Sequence, residues 1–341
     1  MEKNIVKKVK SLGFPWETQD PFLFCVYHAD AYPNGNPEFG PDTSLEGRTL
    51  GNDFVVKDGW RMYHGRSIPG FPVHPHRGFE TVTVVRKGTV DHSDSFGGAG
   101  RYGDGDVQWM TAGKGIQHSE MFPLLKQEES NPLELFQIWL NLPKSDKFAE
   151  PHFAMLWNET IPVHVEKDEN GHETRVEMMA GSLADLIAPD PAPNSWAANP
   201  DNEVAIWYIE MQANASWILP AASEGINRTL YFFQGDQLSI NGSGVRSGNA
   251  AELQPSVKAT LQNGSEKGRF LLLQGRPIGE PVVNYGPFVM NTQAEIQQTY
   301  RDYQENQFGG WPWSKPDQVH PPHKGRFALH ADGREEFPPE K

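Results

Sequence analysis

The sequence predicts an all-β protein with two β-barrel domains and one short helix near the C-terminus. Alternating apolar and polar runs recur along the 341 residues, and 33 glycines and 28 prolines supply the turns between them. A strand–turn–strand pattern occurs twice, at 81–94 and at 229–240, which indicates an internal duplication. A chain of this length is long enough to form two hydrophobic cores.

The composition indicates which classes of ligand and which cellular compartment suit the protein. The formal net charge is −14, and a surface of that sign disfavours direct binding of nucleic acid or of an anionic membrane. Cys25 is the only cysteine, so no disulfide forms within the chain and a reducing compartment is expected. It lies in the apolar run Phe22 to Tyr27, which predicts a buried thiol. No apolar run approaches the roughly 18 residues of a membrane helix, and we expect a cytoplasmic protein.

The first predicted barrel is a series of short strands separated by glycine-rich turns. Before it, residues 31–52 are rich in turn-forming residues and are predicted to form a loop insertion. The β-branched run from Phe79 to Val85 begins the series, and Lys87-Gly88 turns the chain into the return strand Thr89–Asp94. Further strands are predicted at Val107–Ala112 and Leu133–Leu142.

The second half repeats this pattern without its histidines. When the turn glycine Gly235 is aligned with Gly88, Ala221 and Ser223 fall at the positions of His74 and His76. Downstream, residues 293–303 have a helical pattern with Thr292 as N-cap. We therefore predict an N-terminal metal-binding domain at 1–187, a metal-free C-terminal domain at 188–305 and a proline-rich tail at 306–341.

Two short motifs predict a metal centre in the first barrel. His74-Pro75-His76 precedes the strand that begins at Phe79, and His118-Ser119-Glu120 follows the strand that begins at Val107. Side chains two residues apart on a strand face the same side, so each motif directs two donor groups toward one point. Closing the strands into a barrel brings the two motifs together.

The donor types restrict the metal without selecting one. Imidazole and carboxylate groups without a thiolate suit Fe(II), Mn(II), Ni(II), Cu(II) or Zn(II). Four protein donors on an octahedral ion leave two open positions, which is typical of a catalytic or sensory site. Glu80 lies four residues after His76, so strand parity also permits it as a ligand or as a partner that orients an imidazole.

Other polar and aromatic residues near the motifs are weaker candidates. Four residues are expected to line the pocket or to belong to the ordinary core: Phe79, Gln108, Trp109 and Met110. Five further histidines are weaker candidates. His92 is predicted on a hairpin surface, with lining of the pocket as the alternative, His64 in a loop, and His320, His323 and His330 in the tail. The sequence contains no phosphate-binding loop of the Walker type and no nucleophile elbow.

The motifs resemble those of the pirin family of bicupins. The strings H-P-H-R-G-F-E-T at 74–81 and D-V-Q-W-M-T-A-G-K-G-I-Q-H-S-E at 106–120 carry the resemblance. Asp20-Pro21-Phe22-Leu23 near the start, together with 279–282 and 286–291 near the end, is also similar to pirin segments. The resemblance extends from about residue 18 to residue 305. The insertion at 30–65 and the tail after 305 depart from a minimal pirin, and Gly113 stands where cupins often have proline.

The resemblance implies a fold and a ligand set. It implies two jelly-roll cupin barrels arranged face to face, with iron in the N-terminal barrel and no metal in the C-terminal barrel. It implies His74, His76, His118 and Glu120 as the iron ligands, which favours Glu120 over Glu80.

The resemblance also leaves two hypotheses for function. In the first, the protein is a quercetin 2,3-dioxygenase-like enzyme with an aromatic small-molecule substrate, and Glu120 takes the proton of a flavonol 3-hydroxyl. In the second, the oxidation state of iron governs binding to a partner protein, and the chain is a redox-sensing regulator without catalytic activity. We favour the enzyme, because open coordination positions suit catalysis.

Overall fold

The computed structural model describes residues 5–340, which form antiparallel sheets, one α-helix and four short 3-10 helices. The strands are β1 Val6–Ser11, β2 Phe22–Tyr32, β3 Gly70–His76, β4 Phe79–Lys87, β5 Thr89–Asp94, β6 Ala99–Gly103, β7 Val107–Thr111, β8 Ile116–Met121, β9 Asn131–Asn141, β10 His152–Leu156, β11 Val163–Lys167, β12 Glu173–Ala180, β13 Ser182–Leu183, β14 Leu186–Ile187, β15 Ala205–Met211, β16 Ser216–Leu219, β17 Asn227–Gln234, β18 Gln237–Ile240, β19 Ser243–Arg246, β20 Asn249–Leu253, β21 Ala259–Asn263, β22 Gly268–Gly275, β23 Val283–Tyr285, β24 Phe288–Met290, β25 Phe327–Leu329 and β26 Glu335–Glu336. Helix α1 is Gln293–Asn306, and the 3-10 helices are Trp196–Ala198, Pro200–Asn202, Gln307–Gly309 and Pro322–Lys324.

The chain divides into two compact units, each with two main sheets. The first, here called the first barrel, comprises 27–138, 142–159 and the chain from 280 onward. Its sheets have the strand orders β10-β7-β4-β9-β2 and β26-β25-β6-β5-β8-β3. The second barrel comprises the chain up to residue 26, 139–141 and 160–279, and its sheets have the orders β1-β20-β17-β22-β15-β12-β11 and β16-β21-β18-β19.

The strand orders confirm the predicted duplication. The series β7-β4-β9-β2 of the first barrel corresponds to β20-β17-β22-β15 of the second. The series β3-β8-β5-β6 corresponds to β16-β21-β18-β19 in the same way. Each barrel also has its own apolar core, which includes Met110 and Phe153 in the first and Trp207 and Phe232 in the second.

The bounds of the two compact units differ from the predicted domain boundaries, which follow residues 187 and 305. Strand β1 pairs with β20, and β12 pairs with both β11 and β15, so both ends of the segment 1–187 belong to the second barrel. In the tail, β25 pairs with β6 and adds a strand to the first barrel. Backbone pairing between distant segments, rather than order along the chain, determines which unit each segment joins.

The predicted helix is present with the predicted N-cap. The hydroxyl of Thr292 accepts a hydrogen bond from the backbone N–H of Glu295, which satisfies one of the unpaired amides of the first turn. The helix continues three residues beyond Tyr303 and ends before Gln307, whose φ of 51° is left-handed. Within the described residues, no helix is long and apolar enough to cross a membrane.

Candidate metal centre

Strands β3 and β8 bring three histidines together in the first barrel. His74 and His118 are direct antiparallel partners, and His76 lies two residues further along β3 on the same face. One ring nitrogen from each of the three histidines lies within 4.8 Å of the others. The spacing in the sequence and the pairing of the two strands together create this cluster.

Backbone carbonyls orient two of the rings. Nδ1 of His74 lies 2.9 Å from the carbonyl oxygen of Pro72, and Nδ1 of His76 lies 3.3 Å from that of Pro287. A carbonyl oxygen only accepts, so each Nδ1 carries the proton and each Nε2 holds a lone pair. A ring fixed in this way is the usual arrangement of a metal-binding histidine.

His118 supplies the test of whether the cluster fits a metal. The residue is fully buried, and neither ring nitrogen has a hydrogen-bond partner among the described residues. Leaving a buried polar atom unpaired costs about 1–3 kcal/mol, so such atoms call for a partner. A divalent transition metal between the three imidazoles would satisfy one of these nitrogens, and the donor set suits it.

Burial keeps the imidazoles neutral. It lowers the pKa of His74 to about 4 and lowers the pKa values of His76 and His118 well below the usual 6.5. Charge on the neighbouring histidines would lower the pKa of His76 and His118 further. At neutral pH all three rings therefore carry a lone pair, as metal binding requires.

Glu120 lies beside the histidine cluster and is held by hydrogen bonds. Its Oε1 accepts a bond of 3.0 Å from the Thr83 hydroxyl, and its Oε2 accepts one of 2.6 Å from Nε2 of Gln137. The same Oε2 is 3.7 Å from Nε2 of His118, but the carboxylate is not part of the group within 4.8 Å. Burial raises the pKa of Glu120, so this carboxylate binds a proton more readily than an exposed glutamate does.

Comparison with known proteins identifies the family of this chain. The sequence profile of the family described as Pirin matches residues 42–140, and that of the Pirin C-terminal cupin domain matches residues 206–309. Pirin-1 of Arabidopsis thaliana is 38% identical over 246 residues, which cover 70% of this chain and 78% of that protein. This chain belongs to the pirin family.

Relatives of this pirin include proteins with enzyme names. A Pseudomonas aeruginosa protein named provisionally as quercetin 2,3-dioxygenase PA3240 is 36% identical over 242 residues, covering 70% of this chain and 80% of that protein. The crystal structure of a quercetin 2,3-dioxygenase from Acinetobacter baumannii shares 28% identity and a TM-score of 0.68. The match covers 90% of this chain and 96% of the Acinetobacter baumannii chain.

The other predicted site residues of this pirin lie at different places in the barrel. The ring of Phe79 packs 5.1 Å from the His76 ring, measured between centroids. Glu80 is fully buried on β4 and accepts a hydrogen bond of 2.7 Å from the Thr111 hydroxyl on β7. Its carboxylate is outside the histidine group. Three further candidates, Gln108, Trp109 and Met110, are buried on β7.

The predicted surface position of His92 is wrong. His92 is fully buried, and its ring centroid is 5.5 Å from that of His118. Its strand β5 lies between β6 and β8, and its carbonyl oxygen accepts a hydrogen bond of 2.8 Å from Nε2 of His320 in the tail. The tail covers this hairpin, which the local sequence pattern does not indicate.

Thr83 and Gln137 contact Glu120 but are not among the site residues predicted from the sequence. Thr83 lies on β4 and Gln137 lies on β9, so neither is near Glu120 along the chain. A hydroxyl group between Val82 and Val84 is a signal that could have identified Thr83. No local signal identifies Gln137, because its role depends on the position of β9 in the barrel.

Proposed function

We propose that this pirin is a metal-dependent dioxygenase acting on flavonol-type, quercetin-like substrates. The observation that carries the proposal is a cluster of three histidines beside a carboxylate of raised pKa, in which His76 and His118 are buried and His74 is half-buried. Neither ring nitrogen of His118 has a hydrogen-bond partner among the described residues. The likeness to the Acinetobacter baumannii quercetin 2,3-dioxygenase supports the substrate class.

In this proposal His74, His76 and His118 hold the metal, and Glu120 is its fourth ligand or the neighbouring base. Bound Fe(II), or Mn, Ni, Cu or Zn with the same donors, would supply Lewis acidity and open positions for small oxygen ligands. Fe(II) is the proposed metal because the resemblance to the pirin family implies iron.

The protein's own residues position and deprotonate the substrate. Glu120 accepts the proton of the 3-hydroxyl group, and its raised pKa makes it a better proton acceptor than an exposed glutamate. The Thr83 hydroxyl and the Gln137 amide hold the carboxylate in place for this transfer. The Phe79 ring beside His76 limits water at the site.

The test is oxygen consumption by anaerobically Fe(II)-loaded protein after quercetin is added. We expect oxygen uptake together with loss of flavonol absorbance, and we expect His118→Ala to abolish both. His323→Ala is the matched control, because His323 is an exposed histidine of the tail and should leave the rate unchanged. If the wild-type protein retains iron but shows no uptake with quercetin, the flavonol dioxygenase proposal is wrong, and redox-dependent binding to a partner protein would be tested next.

A further inference from the structure

Arg228 occupies an unusual position in the second barrel. It lies on β17 two residues before Leu230, which belongs to the apolar core, so its side chain points into the barrel. Its partner on β22 is Gln274, and Ala205 on β15 is the next residue in the same row. A guanidinium group therefore stands where the strand pattern would place an apolar side chain.

Arg228 is buried without an ion pair. It is 2% exposed, and it donates hydrogen bonds of 2.6 Å to Oε1 of Gln274 and to the carbonyl oxygen of Pro220. Both acceptors are neutral, and Arg228 forms no ion pair with a carboxylate among the described residues. A buried charge is normally paired because its transfer from water is costly.

The charge of Arg228 is nevertheless retained at neutral pH. Burial lowers the pKa of its guanidinium to about 10, which is still well above neutrality. The negative charge of Glu203 raises the pKa of Arg228 without direct contact. The carboxylate of Glu203 instead accepts a hydrogen bond of 3.1 Å from the backbone N–H of Ser223. The guanidinium therefore remains a cation that an anionic group could approach.

A cavity lies next to this cation. It has a volume of about 470 Å³ and lies wholly within the second barrel, with Arg228 and Gln274 in its lining. Trp207 and several alanines make much of the remaining surface apolar, while Glu203 and the exposed Asp190 supply its carboxylates. Ala221, which the duplication aligns with His74, also lines the cavity. Small-molecule sites typically combine such a volume with few polar groups.

We propose that the second barrel binds a small organic carboxylate in this cavity. The carboxylate of the ligand pairs with the guanidinium of Arg228. The planar shapes of the two groups favour two parallel hydrogen bonds between them. The apolar part of the ligand packs against Trp207 and the alanines. The site requires no metal and is separate from the histidine cluster of the first barrel.

The test is calorimetric titration of the full-length protein with benzoate as the probe and with neutral benzamide as its isostere. We expect benzoate to bind at about one site per chain and benzamide to bind at least tenfold more weakly, as loss of a charge-assisted hydrogen bond implies. Arg228→Gln should weaken benzoate binding at least tenfold, and Arg228→Lys should weaken it less. Circular dichroism and thermal unfolding would check that each variant is folded.

Two further variants keep the test decisive. His118→Ala should leave benzoate binding unchanged, whereas loss of binding in it would place the probe at the metal centre and overturn the proposal. Ala222→Phe fills the cavity from its lining without altering the guanidinium and should also abolish binding, so it decides the question if Arg228→Gln does not fold. The proposal also fails if benzoate does not bind the wild-type protein, if benzamide binds equally well, or if a folded Arg228→Gln variant retains wild-type affinity.

Discussion

The two barrels share a strand order but differ in the side chains that point into them. In the first barrel, strands β3 and β8 carry three imidazoles, and Glu120 lies beside them. In the second barrel, the corresponding strands are β16 and β21, and neither of them carries a histidine. The backbone pattern has been kept while the chemistry has changed, so the shared fold does not assign a shared function to both barrels.

The two barrels also differ in the hydrogen-bond partners of a buried arginine. In the first, Nε and Nη2 of Arg101 each lie 2.7 Å from a carboxylate oxygen of Asp91, which forms a bidentate ion pair. In the second, Arg228 contacts only neutral oxygens among the described residues. The first pair is a completed structural contact, whereas the second cation lies next to a cavity.

The largest expected effect is a loss of oxygen-uptake activity that occurs on substitution in the first barrel but not in the second. Glu120→Gln should lower the oxygen-uptake kcat by about 10²–10⁴-fold, the usual contribution of a general base. Steady-state oxygen electrode measurements on Fe(II)-loaded protein would check this. Glu177→Gln, at a buried carboxylate of the second barrel, is the matched control and should change kcat little. Equal losses in both variants would show that the reaction is not confined to the first barrel.

The next effect compares the two arginines. Arg101→Gln leaves Asp91 as a buried charge without its ion-pair partner, and it should lower the free energy of unfolding by about 3–5 kcal/mol. Arg228→Gln should cost less than about 1.5 kcal/mol, since it loses neutral hydrogen bonds but also removes an unpaired buried charge. Urea denaturation measures both values, and a cost for Arg228→Gln as large as that for Arg101→Gln would contradict this comparison.

A smaller effect compares glycines of almost identical conformation. Gly78, next to the metal centre, has φ of +86°, and an added Cβ would lie 2.0 Å from the carbonyl oxygen of Val289. Gly225 in the second barrel has φ of +84° with no atom within 4 Å of that position. Alanine at either site bears the left-handed strain of about 1–2 kcal/mol. Gly78→Ala should cost about 1–3 kcal/mol more in chemical denaturation, because the backbone must also shift. Equal costs would show that the close approach to Val289 is unimportant.

The smallest expected effect is on the pH dependence of the unfolding free energy, to which a histidine of the first barrel contributes. Burial lowers the pKa of His28 from 6.5 to about 3, so below pH 6.5 the unfolded chain binds a proton that the folded chain does not. Stability from this residue is complete above that pH and falls as the pH drops toward 3. His28→Phe should make the slope of unfolding free energy against pH shallower by up to about 1.4 kcal/mol per unit. Phe232→Leu in the second barrel should lower stability without altering the slope, and an unaltered slope in His28→Phe would refute the assignment.

The sequence predicts features that depend on local periodicity. The alternation of two residues identifies β4 and β7, and it places His74 and His76 on one face. The N-cap preference of Thr292 identifies the start of α1. These features need only neighbouring residues, so one sequence is sufficient to predict them.

Features that depend on distant pairing could not be predicted. His92 is buried because the tail, including His320, lies against its strand more than 200 residues later in the chain. Gln137 holds Glu120 because β9 lies in the barrel beside it. The missing ion partner of Arg228 is a property of the whole second barrel. Each depends on tertiary packing, which no local pattern records.

The most direct test of the account is the metal content of three proteins after anaerobic loading with Fe(II) and removal of unbound metal. Elemental analysis should find about one metal ion per chain in the wild-type protein and in Arg228→Gln, because the site needs only donors of the first barrel. It should find almost none in His118→Ala, provided that circular dichroism shows a folded protein. Wild-type metal content in folded His118→Ala would contradict the assignment of the three-histidine cluster as the metal centre.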